Sequence, residues 1–354
     1  MKRFRQGLVV GKFCPLHRGH MVLIEAALDA CDELLIISYT KPEFEGCAPP
    51  LRERWLAELY PQARRLVIDD ARLIAECARR GVEPLMEVPP NDASDAVHRE
   101  FTAWLCRELA GVVVDAVFTS EAYGDGFAAA LAACQSRHLG RDTAVTHVCV
   151  DRARMAVPVS GTRVRSDPHA WRGFLDPRVY ADFVDRICIL GGESTGKTTL
   201  VQALAAALDT IRVPEFGRQH WEDRAGRFVF DDMRIIAETQ VALETALAQQ
   251  ARRWLVCDGS ALTTVFYSQD GYGRVDPAVE VLAQRSYAFT FVCAPDFPFV
   301  QDGTRRDAAF RARQHQWYLS TLDAAGIDYV VLSGSVAERV RTALGAIAAR
   351  SPHL

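Results

Sequence analysis

The 354-residue chain has no C-x-x-C pair, and its ten cysteines stand singly, most of them in apolar runs. Neither a zinc site nor a disulfide scaffold is suggested, and the thiols read as small buried hydrophobes. Net positive charge is missing too. At -4 the chain lacks a basic character for nucleic acid, so no such partner is predicted. No apolar stretch approaches the roughly 20 residues that span a bilayer. Met1-Lys2-Arg3-Phe4-Arg5 runs straight into a strand-like segment without a signal-peptide core. A cytoplasmic location with no membrane partner is the expectation. Internal repeats and low-complexity tracts are also absent. What remains is 49% hydrophobic and 24% charged, a globular composition, in a chain long enough for two cores.

Strand-like and helix-like segments alternate throughout, which predicts an α/β fold with parallel sheets. Strands are expected at 7–10, 34–38 and 113–119, with helices at 20–30, 50–60 and 101–109. The pattern restarts at Ile187, with later strands at 254–257, 289–293 and 329–332. The segment 166–185 holds prolines, tryptophans and charges and reads as a packed connector. The predicted domains are therefore 1–184 and 185–354.

Halfway along stands Gly191-Gly192-Glu193-Ser194-Thr195-Gly196-Lys197-Thr198, then Thr199, after an apolar strand and before an Ala- and Leu-rich helix. Strand, G-x-x-x-x-G-K-[ST], helix is the setting in which backbone N–H groups cradle a β-phosphate at a helix N-terminus. Lys197 would reach the β- and γ-phosphates, and Thr198 would hold Mg²⁺. Asp258 ends an apolar strand, where a carboxylate suits Mg²⁺ or a base for a substrate hydroxyl. Glu215 could meet a ribose hydroxyl and Arg218 a phosphate, although a surface salt bridge would look the same. Arg305, with Arg306, Arg311 and Arg313 behind Gly303, reads as a lid carrying arginines to the transferring group.

Near the N-terminus, Gly11-Lys12-Phe13-Cys14-Pro15-Leu16-His17-Arg18-Gly19-His20 follows the first strand and opens the first helix. His17-x-Gly19-His20 puts two imidazoles beside free backbone N–H groups, a setting for a triphosphate. Alone, this pattern could merely cap a helix. Later in the same domain, Ser160-Gly161-Thr162-Arg163-Val164-Arg165 offers hydroxyls and arginines to phosphate oxygens. Together they resemble the signature pair of nucleotidyltransferases that join a phosphorylated compound to ATP, which implies a phosphate oxygen as nucleophile. That nucleophile is already anionic, so alignment and charge stabilisation suffice without a general base.

These stretches resemble the bifunctional nicotinamide-nucleotide adenylyltransferase/ribosylnicotinamide kinases (NadR-type). The likeness is carried by Gly11-Lys12-Phe13, Pro15-Leu16-His17, Gly19-His20, Arg54-Trp55-Leu56, Thr119-Ser120-Glu121, Gly161-Thr162 and Trp171. It continues through the phosphate loop, Glu215-Phe216-Gly217-Arg218, Asp258, Thr263-Thr264 and Asp302-Gly303 with Arg305. The resemblance implies a Rossmann-like nucleotidyltransferase domain followed by a P-loop kinase domain. It implies adenylyl transfer from ATP to nicotinamide mononucleotide (NMN), giving NAD, and phosphorylation of nicotinamide riboside to NMN. ATP would be co-substrate and Mg²⁺ the metal at both sites. His17, His20 and Arg165 would be catalytic in one domain, Lys197 and Asp258 in the other, with Trp55, Glu215, Arg218 and Phe299 against substrate. A homo-oligomer is left open.

Some relatives begin with a DNA-binding domain. Here the first strand starts by Gly7, so neither that domain nor a repressor role is expected. Ser260 stands where the family usually has a second Asp, Phe299 where a lid Trp is usual, and Phe216 where Tyr is usual. Two rival readings stand beside this one: a coenzyme A-type adenylyltransferase/kinase fusion, and an active transferase joined to a non-catalytic, nucleotide-sensing kinase domain.

Overall fold

A computed structural model describes residues 2–121, 123–151, 155–299 and 306–350. The chain divides into two compact units, Met1–Tyr180 and Ala181–Leu354. Each is built on a five-stranded, wholly parallel sheet covered by helices.

The first unit runs β1 (Phe4–Val10), α1 (Arg18–Ala30), β2 (Cys31–Tyr39), α2 (Pro49–Leu59), β3 (Arg64–Ile68) and α3 (Asp70–Arg80). It goes on through α4 (Asp95–Trp104), β4 (Ala116–Thr119), α5 (Gly124–Leu139), β5 (Thr146–Cys149), α6 (Gly161–Ser166) and α7 (Pro177–Tyr180). Strand order is β3-β2-β1-β4-β5. The direction of winding reverses between β1 and β4, and the crevice at such a switch point is where α/β sheets bind ligands. Gly7 within β1 answers a close approach, since a Cβ there would stand 2.5 Å from Cys31 Sγ. One core layer joins Leu8, Leu35, Ile37 and Val117 of the sheet to Phe101, Trp104, Leu109 and Phe127.

Two expectations need correction in this unit. The strand predicted at 113–119 is confined to Ala116–Thr119. The Gln135 side-chain amide takes both backbone groups of Val114, accepting its N–H at 2.6 Å and donating to its C=O at 3.1 Å, so that residue is lost to the ladder. The helix predicted at 101–109 starts earlier, at Asp95, and turns into a π-helical stretch over Leu105–Ala110. The edge strands β3 and β5 had no clear signal. They are short, and β5 has no fully buried residue to give it a period.

The second unit contains β6 (Asp185–Gly191), α8 (Lys197–Ala207), β7 (Arg212–Val213), α9 (Phe216–Asp223), α10 (Phe230–Ala248), β8 (Trp254–Asp258) and α11 (Ala261–Tyr272). It ends with α12 (Pro277–Ala283), β9 (Phe289–Cys293), α13 (Ala308–Ala324), β10 (Val330–Leu332) and α14 (Val336–Arg350). Order β10-β9-β6-β8-β7 puts β6 at the centre. Its residues Ile187 and Ile189 face Leu200, Leu204 and Ile347, while Cys188 and Leu190 face Tyr318 and Leu322. Burial on both faces explains a continuous apolar run instead of an alternating one.

Candidate active sites

In the first unit the loop after β1 delivers His17 to the N-cap of α1. His17 Nδ1 accepts the His20 N–H at 3.4 Å, and His20 Nδ1 accepts the His17 N–H at 3.3 Å. A nitrogen that accepts carries no proton, so this reciprocal cap puts the proton of each neutral ring on Nε2. The rings stack with centroids 3.6 Å apart. A cap therefore sets the tautomer of two imidazoles as Nε2–H donors. Gly19 makes room for it, because a Cβ there would lie 3.1 Å from the His17 ring.

Ser160 caps α6, accepting the Arg163 N–H at 3.3 Å. His17 Nε2 lies 3.9 Å from where a Gly161 Cβ would stand, so the α1 and α6 N-termini face each other. A Cβ on Gly161 would also come within 2.9 Å of Arg165 Nη1. Arg165 ties the two segments, donating to Cys14 O and to Thr162 Oγ1. Its guanidinium lies 4.1 Å from the Phe44 ring centroid, and Lys12 Nζ lies 5.9 Å from the same ring. Burial and the Arg165 charge hold the Lys12 ammonium below its ordinary pKa. Two cations held this close prefer an anion between them.

All the residues predicted here, Gly11, Lys12, Phe13, His17, Gly19, His20, Ser160, Gly161, Thr162 and Arg165, border one cavity of about 510 Å³. Trp55 does not. It is fully buried in α2 and absent from the cavity wall, so the structure does not bring the side chain expected at the substrate to this cavity. Three residues before it, Arg52 is equally buried and spans to Lys12 O (3.3 Å), Ser38 Oγ (3.1 Å) and both Glu43 oxygens (2.8 and 3.0 Å). It fixes the loop backbone, and no local motif announced it. The far wall brings in Tyr39 and His98, bonded Oη to Nδ1 at 3.1 Å.

In the second unit the loop between β6 and α8 takes the phosphate-cradle shape, with Ser194 at φ 56° and Gly196 at φ 77° as the α8 N-cap. Lys197 Nζ donates to Gly192 O at 3.2 Å, and Thr195 Oγ1 donates to the same oxygen at 2.8 Å. Gly191 and Gly192 lie beneath the loop, off the cavity wall: a Cβ on Gly192 would meet Arg311 O at 2.8 Å, and one on Gly191 the Cys293 Cβ at 3.0 Å. Three side chains from α13 and α14 brace the loop. Gln314 Oε1 accepts the Glu193 N–H at 2.9 Å, Arg311 donates to Ser194 O at 3.4 Å, and Arg339 donates to Thr195 O at 2.7 Å.

Glu193, Ser194, Thr195, Gly196, Lys197, Thr198, Thr199, Glu215, Arg218 and Asp258 all border a cavity of about 1050 Å³. Asp258 is buried, with Oδ1 lacking a hydrogen-bond partner among the described residues. Glu215 is half-buried, and burial together with the Asp258 charge raises its pKa against the opposing Lys197. Ser260 caps α11 through Leu262 N–H at 3.3 Å, so the hydroxyl found in place of a second carboxylate has a structural partner. Phe299 is off the cavity wall, 5.5 Å below the Arg311 guanidinium, and the ring contact expected of it is not brought to the cavity. Arg305, with 302–304, lies outside the described residues. Arg306 does border the cavity; its backbone N–H donates to Glu193 at 2.8 Å and its side chain pairs with Asp270.

Among the described residues no cluster of three or more His, Cys, Asp or Glu is placed to hold a metal. Magnesium on a nucleotide needs only one or two protein oxygens besides phosphate and water, and the unpartnered Asp258 Oδ1 with the Thr198 hydroxyl fits that demand. No helix among the described residues is long and apolar enough to cross a membrane.

A phosphate-loop motif on the second sheet and a histidine-capped helix at the switch point of the first fit a class, the α/β nucleotide-metabolising transferases and kinases. A model of the AAA domain matches residues 186–339. The chain is 29% identical over 316 residues to the "Trifunctional NAD biosynthesis/regulator protein NadR" of Escherichia coli (strain K12), covering 84% of this chain and 71% of that protein. The protein so named from Salmonella typhimurium (strain LT2) matches to the same extent. Two solved structures share the fold over 100% of this chain and 98% of their own: NadR protein in complex with NR (TM-score 0.68, 18% identity) and in complex with NAD and AMP-PNP (0.69, 17%). The chain is a homologue of the NadR proteins.

Proposed function

We propose that the chain makes NAD in two steps, phosphorylating nicotinamide riboside in the second unit and adenylylating the resulting NMN in the first. The observation that carries this reading is that homology to proteins named for NAD biosynthesis extends over 84% of a chain with one cavity beside the histidine-capped helix and another beside the phosphate-loop motif.

In the first unit the NMN phosphate oxygen would attack the α-phosphorus of ATP as pyrophosphate leaves. His17 and His20 Nε2–H, Lys12 and Arg165 would hold the developing charge, and no proton need be removed from the nucleophile. In the second unit the riboside 5′-hydroxyl must lose a proton while the γ-phosphoryl group moves. The unpartnered Asp258 Oδ1 suits that role, with Glu215 and Arg218 on the riboside and Lys197 on the phosphates. Mg²⁺, held by the Thr198 hydroxyl and by Asp258 only through water, would supply charge neutralisation on the phosphate oxygens.

The test is incubation with ATP, Mg²⁺ and either nicotinamide riboside or NMN, with products resolved by chromatography. NAD from both substrates supports the two steps. NAD from NMN alone would leave the transferase and remove the kinase, as the sensing alternative requires. No NAD from either would overturn the reading.

A further inference from the structure

Gln240 stands on α10 at the wall of the second unit's cavity, 4% exposed. Its Oε1 accepts the Phe216 backbone N–H at 2.9 Å. A backbone N–H can only donate, so the oxygen end must face Phe216 and the orientation of the amide is forced. The amino end is then left over. Nε2 is buried and lacks a hydrogen-bond partner among the described residues. A buried amide donor without a partner is destabilising, and at a cavity wall the acceptor it lacks is to be sought in what fills the cavity.

The surroundings say what kind of ligand. The other residues that α10 presents to the cavity are Met233 and Ile236, both apolar. Trp221 and Phe228 border the same space, packed edge to face with centroids 4.9 Å apart. Phe228 stacks on His220 at 5.7 Å, and His220 on Phe216 at 5.6 Å. The buried Asp232 anchors the row by its bond to His220 Nε2 at 2.8 Å. An apolar, aromatic wall held this firmly accepts a flat ring by stacking, and one donor set in it reads one oxygen at that ring's edge.

We propose that Gln240 Nε2, with Trp221 and Phe228, forms the base subsite of this cavity and donates to an exocyclic carbonyl oxygen on the heteroaromatic ring of a riboside. The assignment deepens the kinase reading and rests on it for the identity of the riboside. It places recognition of the ring on α9, α10 and the segment between them, not on Phe299.

The test compares nicotinamide riboside with the pyridine riboside that lacks the carboxamide, using the full chain and Gln240→Glu. This substitution keeps an oxygen for the Phe216 N–H and replaces the amino donor by an acceptor. Both ribosides carry the pyridinium charge, so its attraction to a new carboxylate cancels between them. Calorimetric titration should show Gln240→Glu binding nicotinamide riboside about tenfold less tightly relative to the des-carboxamide compound. Equal change for both ribosides, change for neither, or no riboside bound by the wild type would overturn the assignment. Binding with the expected difference but no phosphorylation would uphold the subsite and remove the kinase reading instead. Should Gln240→Glu fail to fold, Gln240→Met is judged by the same difference between ribosides.

Discussion

Arg339 offers a measurable test of how the phosphate loop is held. It lies 1% exposed on α14, and its guanidinium serves Gly334 O at 3.0 Å, Thr195 O at 2.7 Å, Ala294 O at 3.0 Å and the Asp296 carboxylate. Arg339→Met keeps the bulk of the stem and removes every one of these bonds. Asp296 is exposed and Gly334 only half-buried, so water can replace what they lose. Thr195 is 1% exposed, and Ala294 is half-buried beneath the loop. Two hydrogen bonds from a charged donor to such carbonyls, at roughly 1.5–3 kcal/mol each, put the loss at about 3–6 kcal/mol. Against a domain stability of roughly 5–15 kcal/mol, the unit should fold but open locally with greater ease. Hydrogen exchange followed by mass spectrometry reads this directly. Amides of the loop and the first turn of α8 should exchange about a hundredfold faster or more, while peptides of α1 in the first unit keep their rates. A loop change below about tenfold, or an equal change in α1, would refute the argument that this guanidinium fixes the loop.

Three further outcomes follow from the two sites. His20→Ala removes a cap and an Nε2–H donor, and should lower NAD formation from NMN by about 10²–10³ while leaving riboside phosphorylation intact; Lys197→Ala should do the reverse, and loss of both activities in either folded variant would end the case for independent sites. Glu215 has a raised pKa, from burial first and the Asp258 charge second. Its native state holds a proton to higher pH than the unfolded chain, so its contribution to stability fades as pH rises from the ordinary carboxylate value of 4.5 through the native pKa. Glu215→Gln should flatten that dependence and raise Tm near neutral pH while lowering kinase activity, and Tm measured across pH checks it. Trp55→Ala should cost about 3–5 kcal/mol, whereas Trp55→Phe should leave the KM for NMN unchanged; a raised KM in a stable Trp55→Phe would return this residue to the substrate.

The sequence by itself determined where the two strand–loop–helix motifs stand and the parallel α/β class. Those signals are local: a strand, a loop of fixed spacing and a helix N-terminus lie within some 20 residues, so the order of residue types carries the geometry. The same locality made β6, β8 and β9 readable as apolar runs, because strands buried on both faces need no partner to declare their pattern. Only the tertiary structure decided which distant side chains complete the sites. Arg339 reaches Thr195 across 144 positions of sequence, and Gln240 meets Phe216 because α10 packs beside α9. Trp55 and Phe299 were read from motif likeness as substrate contacts, yet one lies in the core and the other beneath an arginine. A motif fixes where a residue stands on its own element. Where its side chain ends up depends on which other elements the strand order brings alongside, and residue spacing does not carry that.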